Sequence, residues 1–372
     1  VVVSKVQTLA DFEKVPITDK KNYISKYPFT KLLWKKETPS MAYASSGSSG
    51  KPTFWFGNEI HEQYGGRVDE NIFHNIFGIK KTDPTLVVVC FGMGVWVAGS
   101  YTVASCKQVS KLGYELTTIT PGIEKEDVLL ILKKLAPSYK NVILVGLSPF
   151  LISVLADARK RGIRIPQSLK VITSGDKFGE KWRTDMLDLI GAKDPYSSVI
   201  NLYGSADAAV LGYETPLGIF ARRKAEKNKE FAKDLFGENF ASTPGLVQYD
   251  PAHTFFEEVE GELVFTTNTP IPLIRYNIRD RGYIVSGKEM KKLLRKYKLL
   301  EKAPKKWSNL PFLVIQGRND VAVTFYAFNV PADHLKAGLE DKRASRFLTG
   351  SFFAYNRNLQ KSTQQRFFIN VE

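Results

Sequence analysis

The chain has 372 residues, 43% of them hydrophobic and 24% charged, including 24 Phe and 16 Tyr. That balance fits an ordinary globular protein with a sizeable core and room for more than one domain, and it excludes disordered, fibrous and disulfide-stapled classes. The formal net charge of +15 raises the question of a polyanionic partner.

In chain order, residues 1–40 read as short helices separated by loops. A strand is expected over 54–56 and a helix over 58–77. The run 84–106 is uncharged and carries Gly92, Gly94 and Gly99, so a buried strand at 86–90, a glycine turn and a helix at 95–112 fit better than a membrane span. Strands at 115–119, 142–145, 169–173 and 199–203 then alternate with helices at 124–135, 149–161 and 178–189. Such alternation implies a mostly parallel sheet covered by helices on both faces. Beyond it, short strands at 246–249, 262–267, 273–276 and 282–285 suggest a small antiparallel β subdomain. A strand at 321–326 opens a small terminal region. The resulting fold class is α/β, with a large domain over 1–316 and a hinge plus the start of a small α+β domain over 317–372.

The two cysteines, Cys90 and Cys106, form no disulfide framework and suggest a reducing, cytoplasmic setting. Cys90 reads as a small buried residue, not a nucleophile. His61, His74, His253 and His334 have no zinc spacing, so a metal would need oxygen ligands. Nine Lys/Arg fall between Lys288 and Lys306, and a second cluster runs from Arg222 to Lys233. Both read as solvated helical faces, and no nucleic-acid signature accompanies them.

The stretch Ser45-Ser46-Gly47-Ser48-Ser49-Gly50-Lys51-Pro52-Thr53 is dense in hydroxyls and glycines. Such a backbone can curl its N–H groups around an anion, although a plain Gly/Ser linker has the same composition. It is not a Walker loop, because position 45 is Ser and Pro52 follows the Lys. Three polar clusters stand at strand ends, where α/β sheets bind ligands: Thr173-Ser174-Gly175-Asp176, Asn201-Leu202-Tyr203-Gly204-Ser205-Ala206-Asp207 and Ile274-Arg275-Tyr276-Asn277-Ile278-Arg279-Asp280.

With these motifs in this order, the chain resembles the adenylate-forming superfamily of acyl- and aryl-CoA synthetases, most of all its phenylacetate–CoA ligase branch. SSGSSGKPT is similar to the family's phosphate loop and CFGMGVWVAGSYT to its acyl-pocket segment. NLYGSAD is similar to the Tyr-Gly-x-(Ser/Thr)-Glu motif, GELVFTT…PLIRYNIRD to the ribose motif and IQGRND to the hinge. The resemblance implies that Ser45, Ser46, Gly47, Ser48, Ser49, Gly50 and Lys51 hold the β- and γ-phosphates of ATP. Gly175 and Asp176 would line the adenine site, Tyr203 would stack on adenine, and Gly204 and Ser205 belong to the same motif. Asp280 would take the ribose hydroxyls, Arg318 would approach ribose or phosphate, and Asp320 would be the hinge. Phe91, Gly92, Met93 and Trp96 would form a pocket for an aromatic or bulky apolar acid.

Asp207 stands where the family has a Glu ligand for Mg2+, and Val321 where relatives often carry a second acid. A family Lys near the end of the small domain has no counterpart before Glu372, which points to a truncated chain. The implied reaction is ATP-dependent formation of an acyl-adenylate, followed by transfer to CoA. Alternatives are transfer to a carrier-protein thiol or an amine, or a catalytically weak nucleotide-binding homologue. Neither nucleic acid nor membrane is an expected partner, and a homodimer is left open.

Overall fold

A computed structural model describes residues 6–34, 39–45, 53–238, 243–305, 308–318, 322–325, 328–341, 348, 352–358 and 365–371. The chain starts with α1 (Leu9–Phe12), a π-helical turn at Lys20–Ile24 and α2 (Phe29–Leu32). The hairpin strands β1 (Met41–Ala44) and β2 (Phe54–Gly57) flank the Ser/Gly stretch. Asn58 caps α3 (Glu59–Asn71) by accepting from the His61 N–H, supplying a partner that a helix start lacks.

Five parallel strands follow: β3 (Thr85–Cys90), β4 (Leu116–Ile119), β5 (Asn141–Gly146), β6 (Leu169–Ser174) and β7 (Val199–Ser205). Between them run α4 (Val97–Lys111), α5 (Lys125–Lys134), α6 (Ser148–Lys160) and α7 (Glu180–Ile190). β3 is buried along its whole length, as an apolar run without alternation requires in a sheet covered on both faces. One apolar cluster packs α5, α6 and α7 on one face, and another packs α3 and α4 on the other.

β8 (Ala209–Tyr213) turns back antiparallel on β7 and leads to α8 (Pro216–Ala225) and α9 (Lys229–Phe236). Then come β9 (Gly245–Gln248), β10 (Thr254–Val259), β11 (Glu262–Thr267), β12 (Leu273–Val285), α10 (Gly287–Lys296) and β13 (Phe312–Arg318). The expected β subdomain is thus the antiparallel half of one sheet of eleven strands, in the order β10-β11-β12-β13-β9-β8-β7-β6-β5-β3-β4. Between β8 and β9 the two halves share a single backbone pair, Tyr213 with Gln248. The two strands expected at 273–276 and 282–285 are one, β12. Arg275 and Arg279 in it take φ of 47° and 68°, and shifts of register accompany these breaks. The basic segment over 287–296 is an amphipathic helix that buries Met290 and Leu294 and leaves most of its charges facing outward.

After β13, the described elements are two separate hairpins and a helix: β14 (Ala322–Phe325) with β15 (Phe328–Pro331), α11 (Ala332–Leu339), and β16 (Phe352–Asn358) with β17 (Gln365–Val371). Among the described residues, no helix is long and apolar enough to cross a membrane.

Candidate active site

A cleft of about 1310 Å³ is lined by residues at the ends of β6, β7 and β13 and by the middle of β12. Its floor is the tip of β6. Gly175 takes φ of 92°, a left-handed conformation that glycine tolerates and that turns Asp176 into the cleft. Asp176 accepts a hydrogen bond from the Ser148 hydroxyl at the start of α6, and its backbone carbonyl accepts from Asn201 Nδ2 at 2.9 Å. Thr173 Oγ1 donates to Asn201 Oδ1 at 3.0 Å, which ties β6 to β7 beneath the cleft.

Tyr203 stands in β7 at a register shift. The next residue must be glycine, because a Cβ on Gly204 would lie 2.1 Å from the Ala209 carbonyl. The Tyr203 hydroxyl donates to Asp280 Oδ2 at 2.6 Å. Burial, and then the Asp280 carboxylate, push the phenol well above its ordinary value, so Tyr203 remains a donor. Asp280 pairs in register with Arg318 across β12 and β13, and the Arg318 Nε lies 4.0 Å from Asp280 Oδ1. The left-handed Arg279 just before Asp280 reshapes the strand where that carboxylate enters the cleft.

Asp207 lines the same cleft. One of its oxygens accepts from the Tyr276 hydroxyl at 2.7 Å, and the other accepts no hydrogen bond from a described residue. Burial raises the acid, while Tyr276 and the charges of Lys20 and Arg318 oppose the shift. Lys20 comes from the N-terminal π-helical turn, and its ammonium sits 3.4 Å from Ser45 Oγ. Ser45 is buried and pins the neck of the Ser/Gly stretch. Its N–H donates to the Thr53 carbonyl at 2.9 Å, and its Oγ accepts from the Thr53 N–H at 3.1 Å.

Sequence reasoning missed the buried ionic network that supports this floor. Arg183 donates to Glu180 at 2.8 Å and to Glu214 at 2.7 Å, and Arg222 donates to Glu214 at 2.7 Å. All four side chains are at most 2% exposed. Arg222 also donates to the Phe178 carbonyl at 2.6 Å, and Glu214 accepts from the Asn201 N–H at 2.9 Å. Burial works against ionisation of Glu180, but Arg183 and Arg222 more than offset it and hold the carboxyl below its usual range. No local pattern signals this network. Arg222, expected on a solvated helical face, is instead buried here because α8 turns it inward onto Glu214.

Of the residues expected at the site, Ser45, Gly175, Asp176, Tyr203, Gly204, Ser205, Asp207, Asp280 and Arg318 line this one cleft. Ser46, Gly47, Ser48, Ser49, Gly50, Lys51 and Asp320 lie outside the described residues. The expected acid-pocket residues sit differently. Phe91 is packed in the core against α3 and α4, and Trp96 is 44% exposed. Trp96 makes a β-bridge with Ala44, and the Ala44 N–H donates to the Val95 carbonyl at 2.7 Å, so the segment carrying Gly92 and Met93 runs beside the hairpin. None of the four is among the cleft-lining residues. Cys90 and Cys106 are buried free thiols, and burial pushes Cys90 to about 12, as its reading as a packing residue expects.

No known family model matches the chain. It is 26% identical over 279 residues to a phenylacetate–coenzyme A ligase of Aromatoleum evansii, an alignment covering 74% of this chain and 57% of that protein. It is 23% identical over 285 residues to the phenylacetate–coenzyme A ligase of Thermus thermophilus, with the same coverage of 74% and 57%. The chain therefore spans little more than half the length of these relatives. Among solved structures, a 2-hydroxyisobutyryl-CoA ligase in the postadenylation state, bound to an acyl-AMP, superposes with a TM-score of 0.66 at 15% identity. That match covers 99% of this chain and 70% of that one. An anthranilate CoA ligase bound to anthranoyl-AMP gives 0.55 at 10% identity, covering 89% and 56%. The chain is thus similar in sequence to two phenylacetate–coenzyme A ligases and in fold to CoA ligases solved with bound acyl-adenylates.

Proposed function

We propose that the chain activates a carboxylic acid with ATP to an acyl-adenylate and passes the acyl group to CoA. The observation that carries this reading is the convergence of Tyr203, Asp280, Arg318 and Asp207 on one cleft beside the Ser45 neck. Those residue types match what the reaction needs. A carboxylate oxygen bonds to the α-phosphorus of ATP while the bond from that phosphorus to the β-bridging oxygen breaks and pyrophosphate leaves. Two anions must be brought together in line, so the protein has to supply fixed donors and cations.

In this reading Asp280 accepts from the ribose hydroxyls, since a carboxylate has acceptor capacity for both. Tyr203 offers its ring to adenine while its hydroxyl orients Asp280. Gly175 and Asp176 form the adenine floor, Arg318 faces the ribose or α-phosphate, and the Ser/Gly loop with Lys51 grips the outer phosphates. Mg2+ is bound in such sites by one or two carboxylates with substrate phosphates completing its shell. Asp207 fits that demand, because one oxygen is fixed by Tyr276 and the other remains available. When bound, the ion would neutralise phosphate charge.

The acid pocket is assigned to the segment of Phe91, Gly92, Met93 and Trp96, supported by its seat beside the hairpin that carries the loop. Residues 1–316 act as the adenylating domain and 317–372 as hinge and small domain, with Gly317 and Arg318 still paired to β12 at the junction; the separate hairpins β14–β15 and β16–β17 support this division. The test is acid-dependent ATP–pyrophosphate exchange over a panel of aromatic and aliphatic acids, followed by thioester formation with CoA. Exchange without a CoA product, restored by a carrier protein or an amine, would move the acceptor. Absence of exchange with every acid would overturn the reading.

A further inference from the structure

The cleft's cations are unequally committed. Arg279 pairs with Asp19 at 2.8 Å, Lys336 with Asp176 at 3.2 Å, Arg222 with Glu214 at 2.7 Å, and Arg318 faces Asp280 at 4.0 Å. Of the other lysines lining the cleft, Lys177 donates to the Gln316 carbonyl at 2.9 Å and Lys21 is exposed. Lys20 is half-buried, among the described residues no carboxylate lies within ion-pair range of its ammonium, and its contact is the neutral Ser45 Oγ at 3.4 Å. A partly buried charge held against a hydroxyl is a poor resting arrangement unless an anion joins it.

Its position is also built. Thr18 forms an isolated parallel β-bridge with Tyr276 of β12: its N–H donates to the Arg275 carbonyl at 2.9 Å and its carbonyl accepts from the Asn277 N–H at 2.8 Å. The Asp19 side chain then caps the turn, accepting from Lys21 and Asn22 backbone N–H groups at 2.9 and 2.8 Å. Asp19 also takes the Arg279 guanidinium, while Ile24 is buried and the Tyr23 hydroxyl donates to the Pro272 carbonyl at 3.1 Å. The N-terminal segment is thereby fixed to the strand that carries Asp280, with Lys20 aimed at the neck of the Ser/Gly stretch and its charge felt at Asp207.

We propose that Lys20 is a phosphate-binding residue of this site, clamping the polyphosphate of a nucleotide between the Ser45 neck and Asp207. The assignment rests on the adenylating reading for the nucleotide, but its anion chemistry stands on the Lys20–Ser45 geometry alone. A charge-assisted contact to a phosphoryl oxygen predicts a loss of about ten-fold or more in affinity when the charge is removed.

The experiment titrates the full chain by calorimetry with Mg-ATP, inorganic pyrophosphate and adenosine, comparing Lys20→Met, which keeps the apolar stem, with Lys20→Arg. The expected result is ATP and pyrophosphate binding at least ten-fold weaker in Lys20→Met, unchanged adenosine binding, and partial recovery in Lys20→Arg. Unchanged ATP and pyrophosphate affinity in Lys20→Met overturns the proposal, as does equal loss of ATP and adenosine. Lys20-dependent pyrophosphate binding in a chain that binds neither ATP nor adenosine would support the anion site while removing the adenylating reading. A wild-type chain that binds none of the three overturns both.

Discussion

The Tyr203 hydroxyl lies 2.6 Å from Asp280 Oδ2, so a residue of the parallel half of the sheet orients a carboxylate of the antiparallel half. Asp280→Ala should weaken ATP binding by about ten-fold or more, because a carboxylate facing two hydroxyls contributes charge-assisted hydrogen bonds. Tyr203→Phe should cost less, since the ring remains and only the orienting bond is lost. Calorimetric titration of both variants, with thermal midpoints as a check of folding, reads this directly. Equal losses for the two would mean that the carboxylate contributes only when the Tyr203 hydroxyl orients it.

Asp69 on α3 is buried, and burial pushes its acid up to about 7 from an ordinary 3.8. Its folded-state value is raised, so the folded chain binds a proton that the unfolded chain has released. Stability is retained below about pH 4 and lost as pH rises through 7. Asp69→Asn should therefore stabilise the protein at pH 8 by up to about 4 kcal/mol, and the gain should shrink as pH falls toward 4. Unfolding midpoints at pH 8 and pH 5 give the comparison. An equal difference at both would leave a packing effect and no titration.

Arg183 is fully buried between Glu180 and Glu214. Arg183→Met removes one partner and leaves two carboxylates facing a single remaining buried arginine, Arg222. The expected loss is about 3–5 kcal/mol, far more than a surface pair would give. Denaturant unfolding measures it. The loss should also loosen the loop at Phe178, whose carbonyl Arg222 holds, and this would appear as faster amide exchange over 175–179.

α11 touches the β6 end of the cleft at two points: Lys336 donates to Asp176 at 3.2 Å and to the Lys177 carbonyl, and Glu340 accepts from the Gly179 N–H at 3.2 Å. Lys336→Ala should free this helix at a cost near 1 kcal/mol, since the pair is only partly buried. Limited proteolysis should then cut beyond residue 318 sooner, with the large domain's unfolding midpoint little changed. Unaltered cutting would show that this contact does not hold the helix in place.

How much of this was legible in the sequence depended on how local the signal was. The strands β3, β5 and β6 and their helices follow from apolar runs alternating with helical periods. β12 read as two strands because the left-handed Arg275 and Arg279 interrupt its period of two. β8 is a short Ala-Val-Leu-Gly-Tyr run after a turn and gives little signal by itself. Motif order placed Tyr203, Asp207, Asp280 and Arg318 on one cleft: Tyr203, Asp207 and Arg318 stand at or near strand ends, and Asp280 stands inside β12 beside the left-handed Arg279. Lys20 was illegible because its role arises from Thr18 pairing with a strand more than 250 residues away. Glu180, Arg183, Glu214 and Arg222 were illegible for the same reason, as charges that meet only once the chain is folded.

The single backbone pair between Tyr213 and Gln248 gives the sheet a seam, and the cleft lies across it. Tyr203 stands on one side and Asp280 on the other, so a nucleotide held by both would act as a rivet. Without one, heating should open the antiparallel half before the parallel half. With saturating ATP the two melting steps should merge into one, so that the ligand sets how far the sheet behaves as a single mechanical unit.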